Sequence, residues 1–404
     1  MDDDAKQVGR RVRCWRLRRN LDRKQFADMV GRSTSWLDKI EKGERGLARL
    51  PLLERVAGAL SVDPTALTDG AIAERVSHCV DVHEVAAIRT ALSRYPNLTG
   101  PSDRPVAVPI LLKQAAYLDQ AWLSSHFTVV ARRLPQLMAD AQVTALAVPA
   151  RDQVAAYRLL VTTFRMASSM LLKFETNDLA WMAADRAMHS ALAVSDTWSL
   201  ARATRSVARA MTSAGQQASA IAVLVDMADR MRPELRTDSR DLLALYGMVH
   251  LAASITAADQ EDGQLARDMH QEALAAAERM TSEHRTHATL FGMSNVLIHR
   301  VAVLLRRHEA GRALEFAATI DPSRIALLPP ERQANFLLDL TDAHTRTGDY
   351  RAAVRRLGEA ELVAPEEVRC RPLAHGLLRS LLNSTTGEPA RLVRAMAGRA
   401  GVRA

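Results

Sequence analysis

From residue 110 to the C-terminus, helical segments follow one another with only short breaks, and this pattern constrains the fold more than any other feature. Ala, Leu and Arg dominate the composition, whereas aromatic residues make up only 4%. The β-branched residues are scattered, and no Asn-Gly or Asp-Gly turn joins two alternating runs as a hairpin would require. Because this composition favours helix over strand, the sequence predicts an all-α protein.

The strongest repeating unit of this region spans residues 336–360. Small residues stand where its two helices would cross, and Gly348-Asp349 supplies the tight turn between them. The unit resembles a tetratricopeptide repeat, and Pro365 follows its second helix. The residues that match the consensus of that repeat in their spacing are Ala343, Gly348, Tyr350, Ala353, Leu357 and Ala360.

Weaker copies of this helix pair can be placed upstream, with a unit length of about 40 residues. They pair 155–173 with 179–194, 200–213 with 217–231, 242–257 with 264–280, and 291–307 with 312–320, while a first unit spans 111–146 and a cap 373–400. The resemblance predicts a TPR-like α-solenoid. An irregular α-solenoid of another type is the alternative.

Residues 6–68 show a different pattern of five short helices. Asp22 is a good N-cap for the second helix, and Gly31 ends that helix and forms the turn after it. The third helix begins near Ser33 and ends at Gly43, and two further short helices follow. Short helices joined by tight turns predict a small globular unit that is distinct from the long repeats.

The packing of the third helix follows from a few apolar positions. Ala27 leaves room for two helices to cross, while Leu37 and Ile40 bury the third helix against that pair. With Gly31 in the turn and the run 41–43 (Glu-Lys-Gly) after the helix, the segment resembles the phage-repressor-like (Cro-type, XRE) helix-turn-helix. The resemblance implies an N-terminal five-helix lambda-repressor-like domain.

The same resemblance implies which residues contact double-stranded DNA. The expected base-edge readers are Thr34, Ser35, Trp36 and Lys39. Arg23, Lys42 and Arg45 are expected at phosphates, and Lys24 and Ser33 complete the predicted DNA-binding set. Trp36 departs from the usual polar residue: it would pack on a thymine methyl or on sugars, or be buried at a domain contact. A fold of this kind used only for protein contact is the alternative.

The charge distribution agrees with a polyanionic partner for the N-terminal segment. The formal net charge of the whole chain is +8, and residues 5–60 alone hold 15 Lys/Arg against 6 Asp/Glu. Repressor-like helix-turn-helix units bind two half-sites, so the sequence predicts a homodimer on a pseudo-palindromic operator. The repeats and the helix at 72–94 are both candidates for the dimer surface.

Several other kinds of site are not expected. Cys14, Cys79 and Cys370 form no CxxC pair, so neither a disulfide framework nor a zinc ribbon is supported. His78, Cys79 and His83 do not share a helix face well and have no fourth ligand nearby, so no metal site is predicted. The chain has no GxGxxG, P-loop or nucleophile-elbow motif, so neither an enzyme nor a cofactor is expected.

The sequence also bounds the location and the domains. It contains no signal-peptide h-region and no run of 18 apolar residues, so we expect a cytoplasmic protein that does not contact a membrane. Four prolines within residues 96–109 mark a boundary. We therefore predict a DNA-binding domain at 1–70, a helix plus Pro-rich linker at 71–109, and a repeat domain for sensing and dimerisation at 110–404.

A repressor-like unit followed by tetratricopeptide-like repeats resembles the peptide-responsive regulators called RRNPP, in which inner-helix asparagines clamp a signalling peptide. Asn295 and Asn335 lie 40 residues apart, and His299 and Asp339 follow them by one turn on the same face. Arg165, Arg205, Tyr246 and His250 occupy comparable faces of upstream helices and complete the predicted ligand-binding set. The expected ligand is a short peptide. A small metabolite, or a scaffold function in which the repeats bind another protein, is the alternative.

Overall fold

The computed structural model describes residues 2–19, 21–47, 50–68, 80–99, 104–236, 239–280, 282–286 and 289–402. Helices dominate these ranges, which confirms the predicted all-α class. His78 and Cys79, two of the three residues considered above for a metal site, lie outside the described ranges. Within those ranges, no group of three or more His, Cys, Asp or Glu residues is arranged to hold a metal ion.

Five helices form the N-terminal unit, called the head below. They are α1 (Asp2–Arg18), α2 (Arg23–Val30), α3 (Thr34–Glu41), α4 (Leu50–Leu60) and α5 (Thr65–Thr68). Their apolar faces share one core of their own, in which Val12, Phe26 and Leu60 are fully buried. Gly9 allows α1 to approach α3 closely, because a Cβ at this position would lie 2.1 Å from the carbonyl oxygen of Ile40.

The remaining helices form the body. They are α6 (Val82–Leu92), α7 (Pro96–Thr99), α8 (Val108–Leu123), α9 (Phe127–Ala147), α10 (Ala150–Lys173), α11 (Asn177–Val194), α12 (Thr197–Ser213), α13 (Gln217–Met231), α14 (Arg240–Asp259), α15 (Gly263–Glu278), α16 (Met293–Arg306), α17 (Ala310–Ala318), α18 (Pro322–Ala326), α19 (Pro330–Arg346), α20 (Tyr350–Val363), α21 (Pro365–Arg369), α22 (Pro372–Ser384) and α23 (Gly387–Ala400). A 3₁₀-helix, Arg232–Arg236, follows α13.

The body is a solenoid of antiparallel helix pairs, as the repeats predict. The four weaker copies correspond to α10–α11, α12–α13, α14–α15 and α16–α17, and the strongest unit corresponds to α19–α20. Small residues lie at the crossings: Ala343 in α19 and Ala353 in α20 are both fully buried. A large continuous core runs from Ile88 in α6 to Val296 in α16. Helix α6 therefore packs as part of the body, although its residues fall in the segment predicted as helix plus linker.

A short antiparallel hairpin interrupts the helices, contrary to the expectation of no hairpin. Strand β1 (His284–Thr286) pairs with β2 (Thr289–Phe291), and His284 lies opposite Phe291. The Phe291 ring is fully buried against α14 at Gly247, where a Cβ would lie 1.9 Å from ring atom Cζ. The tertiary packing of this aromatic ring, which no local sequence pattern predicts, thus favours a strand in this segment. Helix α16 begins only at Met293.

Contacts between distant parts of the chain close the body on itself. Lys173 at the end of α10 donates a hydrogen bond of 3.0 Å to Glu331 in α19, 158 residues away, and a second bond to Glu367 in α21. Thr128 in α9 donates from its backbone N–H and its hydroxyl to Glu366 in α21, each at 2.9 Å. The first and last repeats are therefore joined, and their inner helices face one another across the interior.

A buried ion network joins the head to the body. Glu84 in α6 accepts two bonds from Arg18 of α1, at 3.0 and 3.1 Å, and one of 3.0 Å from Arg132 of α9. Arg19 pairs with Asp81, the N-cap of α6, at 2.6 Å. Two of the N-terminal arginines, Arg18 and Arg19, thus pair with carboxylates of the body.

Among the described helices, α14 is long and apolar enough to cross a membrane by length and composition. However, 83% of its most apolar stretch is buried inside the body. This burial is typical of the central helix of a globular core.

Candidate DNA-binding and ligand-binding sites

Local interactions fix the turn between α2 and α3. The backbone N–H of Gln25 donates to Asp22 Oδ1 at 2.8 Å, and the N–H of Asp22 donates to Gln25 Oε1 at 3.1 Å, which forms a capping box. Gly31 ends α2 in the left-handed region, with φ of 68°. Ser33 Oγ then accepts the N–H of Trp36 at 3.1 Å and caps α3. The hydroxyl of Ser33, a predicted DNA contact, is therefore engaged in starting the helix.

The outward face of α3 carries short polar and cationic side chains. Thr34, Ser35 and Lys39 are exposed, and their side chains form no hydrogen bond or ion pair with any other residue that the structure describes. Ser35 and Lys39 are one turn apart and so point in the same direction. Thr34 and Ser35 offer donors and acceptors in the N-terminal half of the helix, where a recognition helix meets base edges, and Lys39 adds a cationic donor in the last turn.

Trp36 does not belong to this face, which corrects the prediction that it reads bases. Only 8% of the residue is exposed, and its ring packs in the core of the head together with Leu37 and Ile40. The spacing of these three residues places them on the inner side of α3. A large apolar ring is more stable there than in water, and the partner that buries it is the head itself.

The cations expected at phosphates lie around α3 and share one carboxylate. Lys42 pairs with Asp38 at 2.7 Å, and Arg23 lies 3.5 Å from the same carboxylate and 3.7 Å from that of Glu41. The hydrogen bond from Lys42 lowers the pKa of Asp38, and the same bond raises the pKa of Lys42. The pairs with Asp38 are solvent-accessible, so a DNA phosphate can replace this carboxylate at little cost, whereas Glu41 is buried and bonded to Arg16.

The structure adds Arg32 to this surface, a residue that the sequence analysis missed. It lies in the turn after α2, and its guanidinium carbon lies 6.0 Å from the centre of the Trp36 ring. With Arg45, which was predicted, it lines an open depression of about 610 Å³. Lys24 is exposed on the neighbouring turn of α2. The position of Arg32, directly after the turn glycine, is the signal that could have identified it.

In the body, Asn295 is a core residue and not a ligand clamp. It is completely buried, and its Nδ2 donates to the carbonyl oxygen of Leu290 at 3.0 Å and to Met248 Sδ at 3.2 Å. The amide therefore connects α16 to β2 and α14. The prediction fails because Asn295 faces the preceding repeat, a direction that the 40-residue spacing to Asn335 cannot reveal.

Tyr246 and His250 face a different place from the other predicted ligand residues. Tyr246 Oη donates to Glu272 of α15 at 3.1 Å and lines a separate depression of about 390 Å³. The His250 ring packs edge-on against Tyr246 at 4.4 Å, and burial lowers its pKa to about 4. Both residues are packed between helix layers, which corrects their assignment to the inner face.

Asn335, Asp339 and His299 lie near the interior. Asn335 donates to Glu331 Oε1 at 2.9 Å and accepts a bond from Arg371, so its amide is already occupied. Burial raises the pKa of Asp339 to about 7 and lowers that of His299 to about 3. The Asp339 carboxyl is therefore neutral below about pH 7, and the His299 ring stays neutral down to about pH 3.

Arginines of α12 bond to hydroxyl groups of α10 at a constant offset of 40 residues. Arg202 of α12 donates to Thr162 of α10 at 3.0 Å, and Arg209 donates to Ser169 at 3.2 Å. The predicted ligand residues Arg165 and Arg205 lie between these two contacts, in the same register. Arg202 and Arg209 are residues that the sequence analysis missed, and the i, i+3, i+7 spacing with Arg205 was the available signal.

Comparison with known proteins identifies the head. Residues 7–69 match the family model of a helix-turn-helix domain, which confirms the predicted helix-turn-helix. No curated protein matches the chain.

Two solved structures share a weak overall likeness with the chain. Bacillus thuringiensis PlcR, in complex with the peptide PapR7 and DNA, is 10% identical, with a TM-score of 0.37 over 85% of this chain and 98% of that chain. A mutant of PrgX is 9% identical, with a TM-score of 0.24 over 95% of this chain and 98% of that chain. Both TM-scores are below 0.5, so neither likeness decides what this chain binds.

Proposed function

We propose that this protein is a cytoplasmic, sequence-specific DNA-binding transcription regulator whose body responds to a ligand. The observation that carries the proposal is the exposed polar face of α3, formed by Thr34, Ser35 and Lys39 within a helix-turn-helix domain. Such side chains can hydrogen-bond to base edges when the helix enters the major groove.

The cations around α3 supply the contacts that do not depend on sequence. Arg23, Lys24, Lys42 and Arg45 surround the recognition helix, and Arg32 adds a further guanidinium beside Arg45. Lys and Arg bind phosphate oxygens and release counterions, which gives affinity and fixes the orientation of the helix. In this proposal, specificity comes from α3 and most of the affinity comes from its surroundings.

A second copy of the chain is the expected protein partner. Helix-turn-helix dimers bind half-sites one helical turn apart, which corresponds to a pseudo-palindromic operator. The head has its own core, so a fragment of residues 1–70 is expected to fold alone. The fragment should bind the operator much more weakly than the full chain, because two linked heads profit from a high effective concentration. Equal affinity of the fragment and the full chain would show that the body contributes no dimerisation.

The head–body network provides a route by which a ligand in the body could affect the head. Glu84 holds Arg18 of the head and Arg132 of α9 at the same time. A ligand that favours one shape of the body would therefore favour one position of the head, by as much as its affinity differs between the two shapes. A short peptide is the ligand class that we propose, and a small metabolite is the alternative.

The test is selection of duplexes from a random DNA pool by the full-length protein, followed by fluorescence anisotropy on the selected sequence. The proposal expects enrichment of a sequence with two related half-sites, and tighter binding to it than to a shuffled duplex. A pool that stays random after several rounds, together with no binding above that of the shuffled control, would contradict DNA reading and favour a scaffold.

A further inference from the structure

The interior of the body contains more positive charge than its neighbouring carboxylates neutralise. Lys173 is balanced by Glu331 and Glu367, and Arg371 lies 3.1 Å from Glu367. Arg332 lies 3.5 Å from Glu331. The carboxylates of α19 and α21 are therefore shared among three cations, of which Lys173 links distant parts of the body.

The arginines of α12 have no such partner. Among the residues described by the structure, no carboxylate lies within ion-pair distance of Arg202, Arg205 or Arg209. Arg205 Nε and Arg202 Nη2 are buried, and neither has a hydrogen-bond partner among the described residues. Only 2% of Arg202 is exposed, so water does not take the place of a partner there. A buried cationic donor without an acceptor is costly, which makes such an arrangement rare unless a further group completes it.

The arginines of α12 and Arg332 lie near one shared contact: Arg209 donates to Ser169, one turn before Lys173, and Lys173 and Arg332 both pair with Glu331. Burial lowers the pKa of Arg205 well below its usual value, and the charges of Arg165, Arg209 and Arg332 lower it further. Burial lowers the pKa of Arg209 to about 10, and Arg332 of α19 is the next largest cause. Arg209 nevertheless keeps contact with solvent. A ligand can therefore reach its guanidinium group from solvent.

Interior acids offset only part of this charge. Asp119 of α8 partly offsets the effect of burial on Arg165 and Arg202. Glu331, which already pairs with Lys173 and Arg332, partly offsets it on Arg209. The causes that lower the pKa of Arg205 are its burial and the charges of other arginines, so the positive charge is least compensated around Arg205.

We propose that the ligand of the body is an anion with at least two carboxylate or phosphate groups, held by Arg205 and Arg209 of α12 together with Arg332 of α19. This inference rests on the proposed sensor function and names the chemistry of its ligand. Guanidinium groups bind both kinds of anion through paired N–H donors. An acidic peptide and a phosphorylated small molecule both satisfy the requirement, whereas a neutral apolar peptide does not.

The experiment measures binding to the full-length protein by calorimetry at low ionic strength, without DNA. The probes are inorganic pyrophosphate, a tetra-aspartate peptide and, as a neutral control, an amidated tetra-asparagine peptide. At least one anionic probe should bind the wild type, and Arg205→Gln with Arg209→Gln should weaken it by about tenfold or more, because charge-assisted hydrogen bonds are lost. Binding of pyrophosphate alone identifies a phosphorylated ligand, and binding of the aspartate peptide alone identifies an acidic peptide.

Two further variants separate ligand binding from folding. Arg205→Lys with Arg209→Lys keeps the positive charge and should recover part of the binding, whereas Arg230→Gln, on the exposed end of α13, should bind as the wild type does. The glutamine double variant should also melt, without ligand, at the same or a higher temperature than the wild type, because the largely buried charge of Arg205, which has no carboxylate partner, is removed and the Arg209 site is exposed.

Two results would overturn the proposal. The first is binding of neither anionic probe above the neutral control, and the second is a glutamine double variant that binds the probes as tightly as the wild type does, whatever its melting temperature. Because DNA is absent from these measurements, either result leaves the operator experiment unaffected, and failure of the operator experiment leaves the anion site intact.

Discussion

The recognition surface of the head and the interior of the body both concentrate positive charge, but they do so in different surroundings. Around α3, Lys42 and Arg23 are exposed and share Asp38 with solvent nearby. In the body, Arg202 and Arg205 are surrounded by protein and have no carboxylate partner among the described residues. An exposed cation is solvated by water and pairs with exchangeable anions, whereas a buried one requires a specific group. The exposed cations around α3 thus suit DNA, a long polyanion, whereas the arginines of α12 suit the small anion proposed above.

The largest effect is expected at the contact that closes the body. Lys173→Met leaves the buried carboxylates of Glu331 and Glu367 without their shared cation. The free energy of unfolding should fall by about 3–5 kcal/mol, as for other buried ion pairs that lose one partner. Urea denaturation followed by circular dichroism measures this change. Lys113→Met, at an exposed position in α8, is the matched control and should remain within about 0.5 kcal/mol of the wild type.

If Lys173→Met is as stable as the control, the interior charges are better solvated than their burial indicates. The contrast between the surface and the interior would then be lost.

A smaller effect, on specificity, is expected at the surface. Lys39→Ala and Ser35→Ala should each weaken binding to the selected operator by about 1–3 kcal/mol, because each removes a base contact. Anisotropy titrations on the operator and on a shuffled duplex measure the two affinities. Equal loss on both duplexes would move these residues from base reading to backbone contact. The free energy of unfolding should not change, since neither side chain has a partner in the described head.

The interior should also make stability depend on pH through Asp339. Burial raises the pKa of this carboxyl from 3.8 to about 7, although the charges of Arg306 and Arg371 oppose the shift. The folded state therefore binds a proton between pH 4 and 7 that the unfolded state has released, and folding loses stability as pH rises through this range.

Asp339→Asn removes that loss. The variant should exceed the wild type in stability by about 1–2 kcal/mol at pH 8, after allowance for partial exposure of the side chain, and the difference should vanish near pH 4. Urea titrations at a series of pH values measure it. A difference that is constant with pH would show that the carboxyl titrates normally.

The smallest effect is expected at a phosphate contact of the surface. Arg23→Ala should weaken operator and shuffled DNA to a similar extent and reduce the slope of log affinity against log salt by about one unit. Titrations at three or more salt concentrations measure the slope. An unchanged slope would mean that Arg23 serves Asp38 and Glu41 within the head and does not contact phosphate.

The sequence predicts the head more accurately than the body, and the reason is physical. In the head, the interactions that position α3 lie within a few residues of it: the capping box of Asp22, the turn at Gly31 and the cap at Ser33. Caps and turns of this kind can be recognised in a sequence. Trp36 is the exception, because its burial depends on how α3 rotates against the rest of the head.

In the body, the sequence predicted the helix pairs but not which residues form the inner surface. The apolar periodicity shows which side of a helix is buried. It does not show whether that side packs against the previous repeat, the next repeat or the interior. Asn295 and His250 therefore looked like inner-face residues, although one bonds to α14 and β2 and the other packs between layers. Arg165 and Arg205 do lie at the interior, and their role in ligand binding stays a prediction.

The sequence by itself thus determined the helix-turn-helix, the all-α class and the succession of helix pairs, since periodicity, caps and turns act over a few residues. Only the tertiary structure decided that the body closes on itself, through partners such as Lys173 and Glu367 that are 194 residues apart. That closure brings Arg209 of α12, through Ser169 and Lys173 of α10, near Arg332 of α19. The meeting of these charges depends on the summed rotation of every repeat between them.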